Sequence, residues 1–253
     1  MAINGMPGSS YNLALAVIVL LGGYSGSDGA ATPTAQAKAN APKTGGDARH
    51  PVVVELFQSQ GCSSCPPANA NLNALAGRDD VLALSFAVTY WDKLGWKDIF
   101  ARPEFTSRQW DYARTGGRQQ VATPQVIVNG GAPIVGSNGK QLAALLKARG
   151  PLTAGPAIDI TNDRVVIGPG KAATPAMVWL VRYEPREIAV PIRAGENGGR
   201  TLPHRNIVRM LVPLGEWRGV EADFALPAAR PGLKSAVIVQ QGPGGPLIAA
   251  RKL

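Results

Sequence analysis

The chain has 253 residues, 45% of them apolar and 17% charged, with a formal net charge of +9. That is enough apolar material for one large packed domain or two of about 100 residues, which excludes a largely disordered chain. Lys and Arg are scattered without a run of five and no nucleic-acid motif appears, so the basic balance reads as a solvated surface, not a nucleic-acid interface. The 2 cysteines lie three positions apart, which excludes a disulfide-stapled scaffold and a four-cysteine zinc site. With only His50 and His204 to add, neither a metal nor another cofactor is expected.

From Leu13 to Leu21 the chain is unbroken apolar, and the small residues Gly22 to Ser27 follow. This is the length of a signal-peptide core and about half of a membrane span, although residues 1–12 carry no Lys or Arg. The competing reading is a short buried helix. No cysteine follows the core, which argues against a lipoprotein anchor. The expectation is a signal peptide over residues 1–27 and a periplasmic or secreted protein, with no membrane anchor once the signal is removed. Residues 28–50, mostly Ala, Thr, Pro, Lys and Gly, read as a flexible leader. An oxidising compartment also permits a persistent disulfide.

Pro51 to Phe57 is a short apolar, β-branched run and reads as a buried strand. Cys62-Ser63-Ser64-Cys65 follows, and then Ala68, Leu72 and Leu75 on one face of a helix that Gly77 ends. Val81 to Thr89 is a second buried strand, leading into the aromatic segment Tyr90-Trp91-Asp92 and Trp96. Pro103 opens another helix, which stops at Gly116-Gly117. Thr123 to Val128 is a third strand, Ala132 to Val135 can pair back on it, and Asn138 with Gln141 caps a last helix. This order of strands and helices is that of the thioredoxin fold, expected over residues 51–150.

A C-x-x-C pair at a helix start brings two sulfurs within bonding distance. The helix dipole and free N–H groups there stabilise a thiolate, which is the nucleophile. Cys62 is expected to attack and Cys65 to resolve the mixed disulfide. Tyr90, Trp91 and Asp92 follow the second strand and fall on the same sheet edge. They are candidate substrate contacts, with core packing the competing role for the aromatics. Asp92 reads as a turn cap, with proton transfer at Cys65 as the competing role. Thr123-Pro124 precedes the third strand, where thioredoxin-like proteins hold a cis-proline beside the dithiol. The Thr123 backbone is a candidate to pair with a bound thiol substrate.

Several segments resemble a secreted thioredoxin-like bacterial family, the domain of unknown function 1223. They are Val54 to Ala68, Tyr90 to Asp98, Thr123-Pro124-Gln125, Val178 to Tyr183 and Gly195 to Leu202. In that family pattern a His and an Asp precede the Tyr-Trp-Asp triplet; here Ala87 and Thr89 stand at those positions. The resemblance implies the fold and export; it implies no substrate.

Residues 151–156 read as a linker. Beyond it, residues 157–253 hold short strand-like runs punctuated by Gly, Pro, Asn and Asp, which predict a smaller, mostly β domain of antiparallel, sandwich-like form. The Gly-rich stretch from Arg193 to Asn206 reads as a solvated connection, with Arg200 and His204 as the candidates should it act. The sequence as a whole points to an exported, monomeric thiol–disulfide oxidoreductase acting on protein or small-molecule thiols and disulfides. Two alternatives remain open. One is a binding module in which a Cys62–Cys65 disulfide is only structural. The other is transient handling of a soft metal such as Cu(I), which the lack of His or Met near the pair disfavours.

Overall fold

A computed structural model of the chain describes residues 44–253 apart from residue 162. The expected signal peptide lies outside the described residues. The first strand, β1 (Val52–Gln58), is buried along its whole length, as its apolar run requires. Its side chains alternate between two cores. Val53 and Phe57 pack on one face of the sheet with Phe105 and Tyr112. Val52, Val54 and Leu56 pack on the other with Leu72, Leu142 and Leu146. The helices that cover these faces are α1 (Pro66–Leu75), α2 (Pro103–Thr115) and α3 (Gly139–Arg149). Asn138 caps α3, its side-chain oxygen accepting from the Lys140 and Gln141 N–H groups.

Strand β2 (Val81–Ala87) lies parallel to β1, with Phe57 opposite Phe86, and α1 crosses between them. Strand β3 (Gln125–Val128) lies antiparallel to β1 on its other side, with Phe57 opposite Gln125. Residues 132–135 contribute only one isolated bridge, Val126 to Ile134.

The second half of the chain does not form a sandwich of its own. Strands β6 (Ala176–Glu184), β9 (Ile207–Trp217), β11 (Lys234–Gln241) and β12 (Leu247–Lys252) join the first three in one sheet of order β12-β11-β6-β9-β2-β1-β3. The expected thioredoxin-like α/β domain followed by a β sandwich is therefore incorrect. The protein is built on a mixed seven-stranded sheet with three α-helices among the described residues. The join is between β2 and β9, which run parallel with Ser85 opposite Ile207. Asn206, at φ 50°, holds it: its carbonyl accepts from Ser85 N–H and its amide donates to Ala83 O. A short apolar run carries no signal for which neighbour it will pair with, so the shared sheet was not readable from strand-like runs.

A three-stranded sheet of β4 (Ile158–Thr161), β5 (Arg164–Ile167) and β10 (Ala222–Ala225) packs through Val165 and Ile167 against Val178, Trp217 and Val239. A hairpin of β7 (Ile188–Pro191) and β8 (Thr201–His204) packs through Val190 and Leu202 on Ala87, Phe100 and Ile207. The end of the expected leader is tied down: Thr44 N–H donates to the Asp80 carboxylate, and Ala48 O accepts from Lys252 N–H. No helix of the described residues is long and apolar enough to cross a membrane.

Candidate functional site

The register of β1 explains what meets at its carboxyl end. Because β3 is antiparallel to β1, its beginning lies beside the end of β1 and the turn that follows. Thr123-Pro124 is thereby brought to Cys62, and the peptide between Thr123 and Pro124 is cis. Because β2 is parallel to β1, Tyr90 and Trp91 leave the sheet at the same edge. Cys62 and Cys65 form a disulfide. Cys62 lies in the turn before α1, and Cys65 is the residue at the helix N-cap. Pro66 and Pro67 open the helix, so two of its first N–H groups are missing and the amide cradle for a thiolate is smaller than the C-x-x-C spacing alone implies.

Ser64 links the disulfide to the cis peptide. Its hydroxyl oxygen lies 3.3 Å from Cys62 Sγ and 3.5 Å from Thr123 O, to which it donates. Trp91 fixes Thr123 from the other side, its indole N–H donating to Thr123 Oγ1 at 2.7 Å. The same ring comes within 3.8 Å of where a methyl on Gly61, immediately before Cys62, would sit. The Tyr90 hydroxyl is buried without a hydrogen-bond partner among the described residues, and desolvation raises its pKa. The Asp92 carboxylate accepts the Asp98 N–H at 3.1 Å. Of the site residues read from the sequence, Cys62, Cys65, Thr123, Pro124 and Trp91 are brought together, Tyr90 packs against the core with Phe57 and Phe105, and Asp92 shapes the adjoining loop. Ala87 is buried against Phe100 and Ile207, and the Thr89 hydroxyl pairs with Thr106 at 3.0 Å.

The cover over the disulfide comes from the stretch that read as a solvated connection. Residues 192–200 link β7 to β8 and fold back on the dithiol turn. Asn197 is fully buried, and its side-chain amide donates to both Gln60 O and Cys62 O at 2.9 Å. Arg200 steadies it by donating to its Oδ1 at 2.7 Å. The Glu196 carboxylate accepts from Ser63 N–H at 3.0 Å and from the Ser63 hydroxyl at 2.6 Å. Those two bonds, the hydroxyl first, hold its pKa below the usual carboxylate value. Glycine at 195, with φ +73°, lets the loop approach Trp96, whose Cβ would lie 3.3 Å from an added methyl. Trp96 in turn donates to the Gln60 side chain at 2.9 Å.

Two further buried groups stand under the site. Asp98 accepts from the Gln60 and Phe100 N–H groups, and burial raises its pKa to about 6. His204 is fully buried on β8, where Nδ1 meets the Asn69 amide of α1 at 2.7 Å. Burial lowers its pKa to about 4, so it is neutral at pH 7. Gln60, Asp98, Glu196 and Asn197 were not singled out from the sequence. All four fall inside segments that carry the resemblance, Gln60 in Val54 to Ala68, Asp98 at the end of Tyr90 to Asp98, and Glu196 and Asn197 in Gly195 to Leu202, but none had been given a role. Among the described residues no group of three or more His, Cys, Asp or Glu is placed to hold a metal ion.

Residues 53–240 match the family described as a protein of unknown function, DUF1223. The chain belongs to this family. It is also similar to the crystal structure of protein AGR_C_4864 from Agrobacterium tumefaciens, at 32% identity and a TM-score of 0.66, over 80% of this chain and 93% of that one. The structure of HBP35 of Porphyromonas gingivalis shares the fold at 13% identity and a TM-score of 0.53, over 82% of this chain and 76% of that one. No curated protein matches the chain. DUF1223 carries no assigned activity, so function rests on the geometry of the site.

Proposed function

We propose that this DUF1223 protein is an exported thiol–disulfide oxidoreductase whose working group is the Cys62–Cys65 pair, acting on protein or small-molecule thiols and disulfides. The observation that carries the reading is the Ser64 hydroxyl, set between Cys62 Sγ and Thr123 O. In the reduced pair that O–H can turn from the carbonyl to the Cys62 thiolate and stabilise it, which lowers the thiol pKa. In the oxidised pair a substrate thiolate attacks Cys62 Sγ, the Cys62–Cys65 bond breaks, and Cys65 leaves as a thiolate that takes a proton from water. A second thiol of the same substrate, as thiolate, attacks the substrate sulfur of the mixed disulfide and releases the Cys62 thiolate. Two electrons pass from the substrate dithiol to the pair. The reverse sequence, with Cys62 attacking and Cys65 resolving, reduces a substrate disulfide, and the potentials of pair and partner set the direction.

Thr123, cis-Pro124 and Trp91 form the wall beside the pair against which a substrate would lie. Leu94 and Ile99, exposed by 55% and 57% on the adjoining loop, offer apolar surface that suits a protein substrate.

The rival reading, a binding module with a structural disulfide, is favoured by one observation: Cys62 and Cys65 are only 0% and 2% exposed. One experiment separates the two. Cys65→Ser is treated with the aromatic disulfide 5,5′-dithiobis(2-nitrobenzoate), and the wild type is assayed for turnover of a disulfide substrate with a thiol reductant. Turnover together with a stoichiometric adduct on Cys62 is expected. No turnover and no adduct, with Cys62→Ser merely less stable, would leave the disulfide structural.

A further inference from the structure

Arg182 stands on β6, where successive side chains alternate between the two faces of the large sheet. It is 2% exposed, yet among the described residues it has no carboxylate partner. Among the described residues its only hydrogen bond runs from Nη2 to Pro227 O, and Nε and Nη1 are buried with no acceptor. Arginine is almost never buried without a partner, and each orphaned donor in a folded protein calls for a missing acceptor. The contrast within this chain is direct. Arg108, also buried at 5% exposure, donates to the Glu55 carboxylate at 2.7 Å.

Arg182 lines a pocket of about 350 Å³ between the end of β6, the start of β11 and residues 226–233. The charges facing it are unequal. Arg230 is close enough to repel the Arg182 charge, and Lys234 lines the pocket. Against these stand Asp163 and the terminal carboxylate of Leu253, whose residues share the lining and neither of which makes an ion pair with Arg182. Leu226, Pro227 and Leu233 supply an apolar wall. A cationic floor under an apolar wall suits a molecule with one anionic end and one hydrocarbon body.

We propose that this pocket is a binding site for a small apolar carboxylic acid, its carboxylate on Arg182 and its hydrocarbon body against Leu226, Pro227 and Leu233. The Pro227 carbonyl holds Nη2 and the other two donors are buried, so the segment carrying Pro227 must shift for the carboxylate to reach them. The site is separate from the Cys62–Cys65 pair and does not depend on its redox role.

The test is calorimetric titration of the full chain with hexanoate, hexan-1-ol and inorganic phosphate at matched ionic strength. Saturable binding of hexanoate, tighter than that of either control, is expected. Arg182→Met should raise its Kd about tenfold or more, as loss of a charge-assisted contact does. Arg230→Ala, an exposed position, should weaken binding by a smaller factor without disturbing the fold, and it decides the matter should Arg182→Met fail to fold. Absence of saturable hexanoate binding would overturn the proposal, as would a Kd that neither substitution changes. Phosphate binding as tightly as hexanoate would overturn the apolar-acid class, and hexan-1-ol doing so would overturn the role of the charge.

Discussion

Asn197 holds the dithiol turn with one nitrogen, its amide spanning Gln60 O and Cys62 O. Cys62 O also receives Cys65 N–H, so Asn197→Ala leaves Gln60 O as the bare carbonyl. The expected cost is about 1–3 kcal/mol, the range for a buried acceptor stripped of its donor, read by urea denaturation of the oxidised protein. Asp98 makes a prediction about pH. Its folded pKa of about 6 lies above the unfolded value of 3.8, so between those values the folded state binds more protons. Its contribution to stability therefore falls as pH rises through that window. Asn is neutral throughout, so Asp98→Asn should cost more at pH 4.5 than at pH 7.5, by roughly 2 kcal/mol. Denaturation of both proteins at the two pH values checks it. His204 works the other way. Its folded pKa of about 4 lies below the unfolded 6.5, so its contribution is present above pH 6.5 and is lost as pH falls toward 4.

The element that governs access to the pair is the loop between β7 and β8. Glu196 clasps Ser63 from the outside, and its lowered pKa keeps that contact in place at neutral pH; it is lost only as the carboxyl protonates in acid. Glu196→Gln replaces a charged acceptor by a weaker neutral one. Reduction of the Cys62–Cys65 disulfide by dithiothreitol at pH 7 should then be faster by a few-fold, and an unchanged rate would show that the loop does not limit access. The loop was misread from sequence for a physical reason. Gly, Arg, Glu and Asn compose a solvated turn as readily as a clasp, and Glu196 meets a partner 133 positions away. The dithiol, its helix and Thr123-Pro124 were legible because their signals are local: a fixed cysteine spacing, a buried strand before it and a helical period after it. Trp91 was legible as a candidate, but its bond to Thr123 depends on how the strands are ordered.

At the scale of the whole molecule, the strands were largely readable and their assembly was not. Val81 to Ala87 is buried throughout, so its backbone N–H and C=O groups need a paired strand at each edge. One is β1; the other, β9, comes from the part of the chain that read as a separate β domain. The large sheet is tied through its core by Arg108 of α2, which donates to Glu55 of β1 and to Gln240 of β11. Burial opposes the Arg108 charge, but the Glu55 charge outweighs it and its pKa is raised. Arg108→Met alone should cost about 3–5 kcal/mol by stranding the Glu55 carboxylate, and Arg108→Met with Glu55→Gln should recover part of that loss in a double-mutant cycle.

The reduction potential of the Cys62–Cys65 pair tests most directly what the pair does in this frame. The oxidised and reduced proteins can be equilibrated against dithiothreitol buffers at pH 7 and read by thiol alkylation. A working redox pair should have a potential above about −300 mV. A potential below that value would mark the disulfide as structural and contradict the proposed activity.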